Sequence, residues 1–137
     1  MIHRGFYEIY QTVMEGYIEN ISPLIAAHPE AVLVFTGHSL GGALTSFAAA
    51  HVKRHLNPPN KFLVYTFGSP RMGNQAFADY LMTLFPADSY YRVVHSQDIV
   101  PHCPLQSMGF SHAGEEVWYP EPDSDISRRQ ICSNAPG

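Results

Sequence analysis

Three short apolar runs constrain this chain more than any other feature: "AVLVF" from Ala31 to Phe35, "KFLVYTF" from Lys61 to Phe67 and "YYRVV" from Tyr90 to Val94. Each is continuous and rich in β-branched or aromatic residues. Each is also too short to be a buried helix, and so has the signature of a strand buried on both faces. Helical periodicity lies between them. Phe6, Ile9, Tyr10, Val13, Met14, Tyr17, Ile18, Ile21, Leu24 and Ile25 recur at three-four spacing and predict a first helix. Pro23 is expected to kink that helix or to start a last turn capped by Ser22, and Pro29 to end it. Leu40 to Leu56 predicts a second helix, stopped by Asn57-Pro58-Pro59. Ala76, Phe77, Tyr80, Leu81, Leu84 and Phe85 share one face of a third, ended by Pro86.

Alternation of this kind implies right-handed crossovers and an α/β fold, with a parallel sheet core and helices on both faces. The 137 residues suit one domain and are enough for a core without staples. "FSHAGEEVWYP" predicts a further strand behind a loop, with His112 inside it. From residue 120 to 137 the chain is polar and Pro-rich, and a poorly structured tail is expected there.

Composition removes several function classes. The formal charge of −4 offers no electrostatic attraction for nucleic acid or an acidic membrane. No stretch approaches the length of a transmembrane segment. Met1-Ile2-His3-Arg4-Gly5 lacks the apolar stretch of a signal peptide. The two cysteines, Cys103 and Cys132, are too few for a disulfide framework and lack metal-type spacing. His51 and His55 are four apart on one helix, but no third ligand and no H-E-x-x-H motif accompany them, so they are expected to be ordinary helix-surface residues. No metal or organic cofactor is expected. Asn20-Ile21-Ser22 is a glycosylation sequon on a helix, a triplet that arises often by chance.

The chemistry points to Gly37-His38-Ser39-Leu40-Gly41, which fits G-x-S-x-G between a strand and a helix. A sharp strand-to-helix turn holds such a serine in strained backbone, and the flanking glycines let neighbouring chain segments approach. The free N–H groups opening the helix point where an oxyanion would form, with the Leu40 N–H as first donor. The Lys and spacing of a P-loop are missing. A nucleophilic serine needs a neutral imidazole as base and a carboxylate to orient it. Asp98 is the expected acid, because it follows the third strand at the sheet edge that carries the elbow; a turn-capping aspartate is the plainer reading. Asp79 lies mid-helix, and Asp88, Asp123 and Asp125 fall in loops. For the base, His38 adjoins the serine but points elsewhere, and His95 precedes the acid. His102 is a loop neighbour of Asp98. His112 is the best candidate by order alone.

These residues resemble the fungal-type triacylglycerol lipases, the class 3 lipases. "IHRGFYEIY", "TGHSLGGAL", "YTFGSPRMGNQAFADY", "YRVVHSQDIVPH" and "GFSHAGEEVWY" carry the resemblance, in family order, from Ile2 to about Tyr119. "GHSLGG" alone is shared with other hydrolases, whereas "GSPRMGN" followed by "DIVP" is far more specific. The resemblance implies an α/β-hydrolase core, Ser39 as nucleophile, Asp98 as acid and Leu40 N–H in the oxyanion hole. It implies a structural role for His112 and a catalytic histidine in a segment beyond Gly137. It further implies an Arg-Gly-Ser/Thr strand with the second oxyanion donor and a helical lid before Met1, and a downstream disulfide partner for Cys132. The chain thus resembles the central part of a longer member, truncated at both ends. The substrate implied is a lipid ester, met at a lipid–water interface by a secreted enzyme. A catalytically silent lipase-like binding module, a phospholipase A1 and an aryl-ester esterase are the alternative readings. An intact elbow and acid argue against the silent one.

Overall fold

The computed structural model describes residues 1–86, 88–120 and 126–132. Helix α1 spans Arg4–Ala27, β1 Leu33–His38, α2 Leu40–His51, β2 Phe62–Phe67, α3 Gln75–Leu84, β3 Tyr90–His95, β4 Glu115–Tyr119 and β5 Gln130–Cys132. The strands form one sheet in the order β1-β2-β3-β4-β5. The first four are parallel, and β5 runs antiparallel to β4.

Local chemistry sets the ends of these elements. His3 caps α1 by accepting the Phe6 N–H at Nδ1, 3.3 Å away. Pro23 lies inside α1 without ending it. Its missing N–H removes the helical bond that would reach back to the Glu19 carbonyl, and Glu19 is exposed. Ser22 does not start a new turn; its hydroxyl donates to the Ile18 carbonyl at 2.6 Å. Helix α2 continues through Val52–Leu56 as a π-helical stretch and stops at Asn57, whose φ of 41° is left-handed. Asn74 caps α3 through the Phe77 N–H.

Alternate residues of the strands meet the helices. Phe35 from β1, Phe62 and Val64 from β2 and Tyr90 from β3 pack with Tyr10, Phe47, Leu81 and Phe85 in one apolar cluster. Phe35 stacks on Phe62 at 5.6 Å, and Phe85 meets Tyr90 edge-on at 5.9 Å. The Tyr90 hydroxyl, fully buried, is satisfied by Ser46 Oγ at 2.7 Å.

The mostly parallel α/β sheet with helices is the one the alternation predicts, and among the described residues the helices lie on one of its faces. Strand order never reverses from β1 to β4, and right-handed crossovers that advance in one direction all fall on one side. Among the described residues α1, α2 and α3 therefore share a single face. On the other face Val34 is 57% exposed and Phe67 42% exposed. Tyr65 and Tyr91 stack there at 5.4 Å. The expectation for 120–137 is also modified: Gln130–Cys132 supply an edge strand that pairs Ile131 with Val117, while residues 121–125 and 133–137 lie outside the described ones.

Candidate active site

Strand β1 ends at His38, α2 begins at Leu40, and Ser39 alone makes the turn. Its φ of 53° and ψ of −126° lie in a region that non-glycine residues rarely enter. The turn is held from both sides. The Ser39 N–H donates to the Phe67 carbonyl of β2 at 2.9 Å, and the Ser39 carbonyl accepts the Gly42 N–H at 2.9 Å.

The glycines around the serine divide the work unevenly. A Cβ on Gly37 would collide with the Gly41 carbonyl, and one on Gly42 would sit 2.8 Å from Ser69 Cβ. A Cβ on Gly41 would meet nothing within 4 Å. Close approach at the elbow thus depends on Gly37 and Gly42, whereas the motif's second glycine contributes its carbonyl and leaves open space beside the serine. Leu40 is the first residue of α2, so its N–H belongs to the group that helices leave without an internal acceptor.

Asp98 lies beyond the end of β3, on the same edge of the sheet as Ser39. Its Oδ1 accepts the Val100 N–H at 3.0 Å, so the turn-capping reading is met by one oxygen. Oδ2 faces the end of β2, where a Cβ on Gly68 would lie 2.6 Å from it. Gly68 has φ +55° and follows Phe67 directly. Strand β2 separates β1 from β3, so the ends carrying Ser39 and Asp98 are two strand spacings apart, about 10 Å. The other aspartates are elsewhere. Asp79 is exposed on α3 and accepts from Gln75 at 2.8 Å. Asp88 precedes β3 at the opposite end of the sheet. Asp123 and Asp125 lie outside the described residues.

No described histidine hydrogen-bonds the Ser39 hydroxyl. His112 is not inside a strand as its sequence context predicts: β4 begins only at Glu115, after Gly114 with φ +83°. A Cβ at Gly114 would press on the Tyr90 ring, 2.8 Å away. The His112 ring is half-buried, and Nε2 lies 2.7 Å from the Pro101 carbonyl, to which it donates. Burial, followed by the nearby Arg92 guanidinium, pushes the His112 imidazole down to about 3. A base must take a proton near neutral pH, and a ring held that low is poorly suited to it. His51 and His55 lie at the far end of α2, ring centroids 4.4 Å apart.

Gly68 and Arg71 are the site residues that motif reading missed. Both fall in "GSPRMGN", which the resemblance marked only as specific. Arg71 is 8% exposed, and its guanidinium binds the carbonyls of His102 and Pro104 in the segment after Asp98.

The comparisons agree with this architecture. Residues 1–108 match the family model described as lipase (class 3). A lipase of Rhizopus niveus is 39% identical over 97% of this chain and 33% of its own length. The secreted mono- and diacylglycerol lipase 1 of Fusarium solani is 36% identical over 96% of this chain and 39% of its own. A solved triacylglycerol lipase, in which a serine protease triad forms the catalytic centre, superimposes with a TM-score of 0.83 at 36% identity. That superposition covers 96% of this chain and 49% of the other. The chain spans roughly a third of the length of the curated relatives it matches. It belongs to the class 3 lipases.

Proposed function

We propose that the chain carries the nucleophile and the acid of a secreted serine ester hydrolase acting on lipid esters of the triacylglycerol type. The observation that carries this reading is the backbone of Ser39, held at φ 53° and ψ −126° between β1 and α2. Non-glycine residues hold such a conformation only where surrounding structure enforces it, and here it lifts a hydroxyl above the first N–H groups of a helix. Ser39 Oγ attacks the ester carbonyl carbon. A histidine takes the hydroxyl proton, and the Leu40 N–H stabilises the resulting oxyanion together with a second donor. Collapse breaks the ester C–O bond, the proton passes to the departing alcohol, and the acyl group remains on Ser39. Water, deprotonated by the same histidine, releases the fatty acid. Asp98 orients that imidazole through Oδ2.

His112 is committed to Pro101, so the reading assigns the base to a histidine of a longer polypeptide. The lipase named secreted in Fusarium solani supports an extracellular setting.

A fluorophosphonate probe tests the reading. It should label the full-length protein and leave Ser39→Ala unlabelled; equal labelling of both would refute it. Esters of graded chain length, presented with and without a lipid–water interface, then separate lipase from esterase.

A further inference from the structure

Asp98 is followed by a segment whose backbone is held in an unusual way. Four successive carbonyls, from residues 101 to 104, each accept a hydrogen bond from outside the segment. Pro101 O accepts from His112 Nε2 at 2.7 Å. His102 O and Pro104 O accept from Arg71 Nη1, the latter at 2.9 Å. Cys103 O accepts from the Arg71 backbone N–H at 2.8 Å. Three of the four therefore converge on one residue. Both side-chain bonds come from one terminal nitrogen, Nη1, which the planar guanidinium holds in a fixed direction; an ammonium carries the charge on a shorter, freely rotating tip.

Arg71 also has a second link to the acid. It ends the stretch Gly68-Ser69-Pro70-Arg71, whose first residue makes the seat for Asp98 Oδ2. A single loop after β2 thus meets the acid segment at both of its ends: Gly68 under the carboxylate and Arg71 around the carbonyls beyond it. On the chain side, the Asp98 N–H donates to the His95 carbonyl at 3.1 Å, which ties the acid to the end of β3. Among the described residues no carboxylate lies at hydrogen-bond distance from this guanidinium, so its desolvation is offset mainly by these carbonyls.

We propose that Arg71, with His112 as a second arm, is a positioning residue for Asp98: it clamps the carbonyls of 101–104 and so fixes the carboxylate that orients the catalytic imidazole. The proposal rests on the reading of Asp98 as the acid. It assigns Arg71 no contact with substrate.

A double-mutant cycle in the full-length protein separates positioning from general support. Arg71→Lys should lower kcat about 100-fold with KM little changed, the loss expected when a reacting group is displaced by about an ångström. In an Asp98→Asn background the same substitution should cost less than about threefold, because the group it positions no longer acts. Equal losses in the two backgrounds would overturn the proposal and leave Arg71 a structural residue. Full activity in Asp98→Asn alone would instead refute the assignment of the acid. Amide hydrogen exchange supplies a readout independent of turnover. In Arg71→Lys, exchange at residues 98–104 should quicken by about tenfold while β1, β2 and β3 keep their protection. Unchanged protection at 98–104, or loss of protection across the sheet, counts against the clamp.

Discussion

The Asp98 carboxylate rests against Gly68, close enough that a Cβ there would come within 2.6 Å of Oδ2. One missing methyl group therefore defines where the acid can sit. Gly68→Ala is expected to push the carboxylate aside and to strain a backbone with φ +55°. The backbone alone costs about 1–3 kcal/mol. On the proposed role of Asp98, the displaced carboxylate adds a loss of about 100-fold in kcat/KM of the full-length protein. Gly109→Ala is the control, because Gly109 has φ +83° with open space around it. It should share the stability loss in thermal melts and spare the kinetics.

The elbow glycines make a second contrast. Gly37→Ala drives a methyl group into the Gly41 carbonyl, whereas Gly41→Ala enters open space. Gly37→Ala should yield little folded protein. Gly41→Ala should fold with a melting temperature within a few degrees of the parent, and any effect should appear in activity alone. Circular dichroism melts of the two variants check this, and equal behaviour would contradict the packing described at the turn.

Burial of the His112 imidazole makes stability depend on pH. The ring takes a proton near 6.5 in the unfolded chain and only at about 3 when folded. Between these values the unfolded state binds more protons, so stability falls as pH falls. The slope contributed by this residue approaches about 1.4 kcal/mol per pH unit. Denaturant titrations at pH 7 and pH 5 should therefore show a steeper loss for the parent than for His112→Asn, which has no proton to gain. Identical slopes would mean that His112 is not buried neutral.

Leu81 is fully buried in α3 against the sheet. Leu81→Ala should cost about 2–5 kcal/mol through lost contacts and a residual cavity. A urea midpoint shift without a change in slope would check it.

Much of this architecture was legible in the sequence, and the parts that were not have physical reasons. Periodicity found α1, α2 and α3, because a buried stripe leaves a three-four pattern. It placed β1 at residues 31–35, but the strand runs Leu33–His38. The polar Thr36-Gly37-His38 segment joins the sheet through backbone pairing with Tyr65, Thr66 and Phe67, which hydropathy does not record. The apolar runs suggested burial on both sides, yet Val34 and Phe67 are exposed: side-chain type cannot tell a covered face from a bare one. Ser39 and Asp98 stood out because motif and topology both constrain them. Gly68 and Arg71 did not, since their roles depend on which loop lies across the sheet edge. His112 was the natural base by chain order, the resemblance implied a structural role instead, and its hydrogen bond to Pro101 fits that second reading.

Strand order that never reverses has a consequence for how such a protein can diversify. Open α/β sheets commonly place ligands in the crevice where the order switches direction, so that the sheet itself shapes the binding pocket. No such switch occurs between β1 and β4. On the proposed function, recognition then falls to whatever stands above the strand ends, while Ser39 and Asp98 stay anchored in turns continuous with the core. The two properties are separable by construction. Segments around the elbow can be exchanged, lengthened or trimmed without disturbing the register that keeps Ser39 and Asp98 two strands apart.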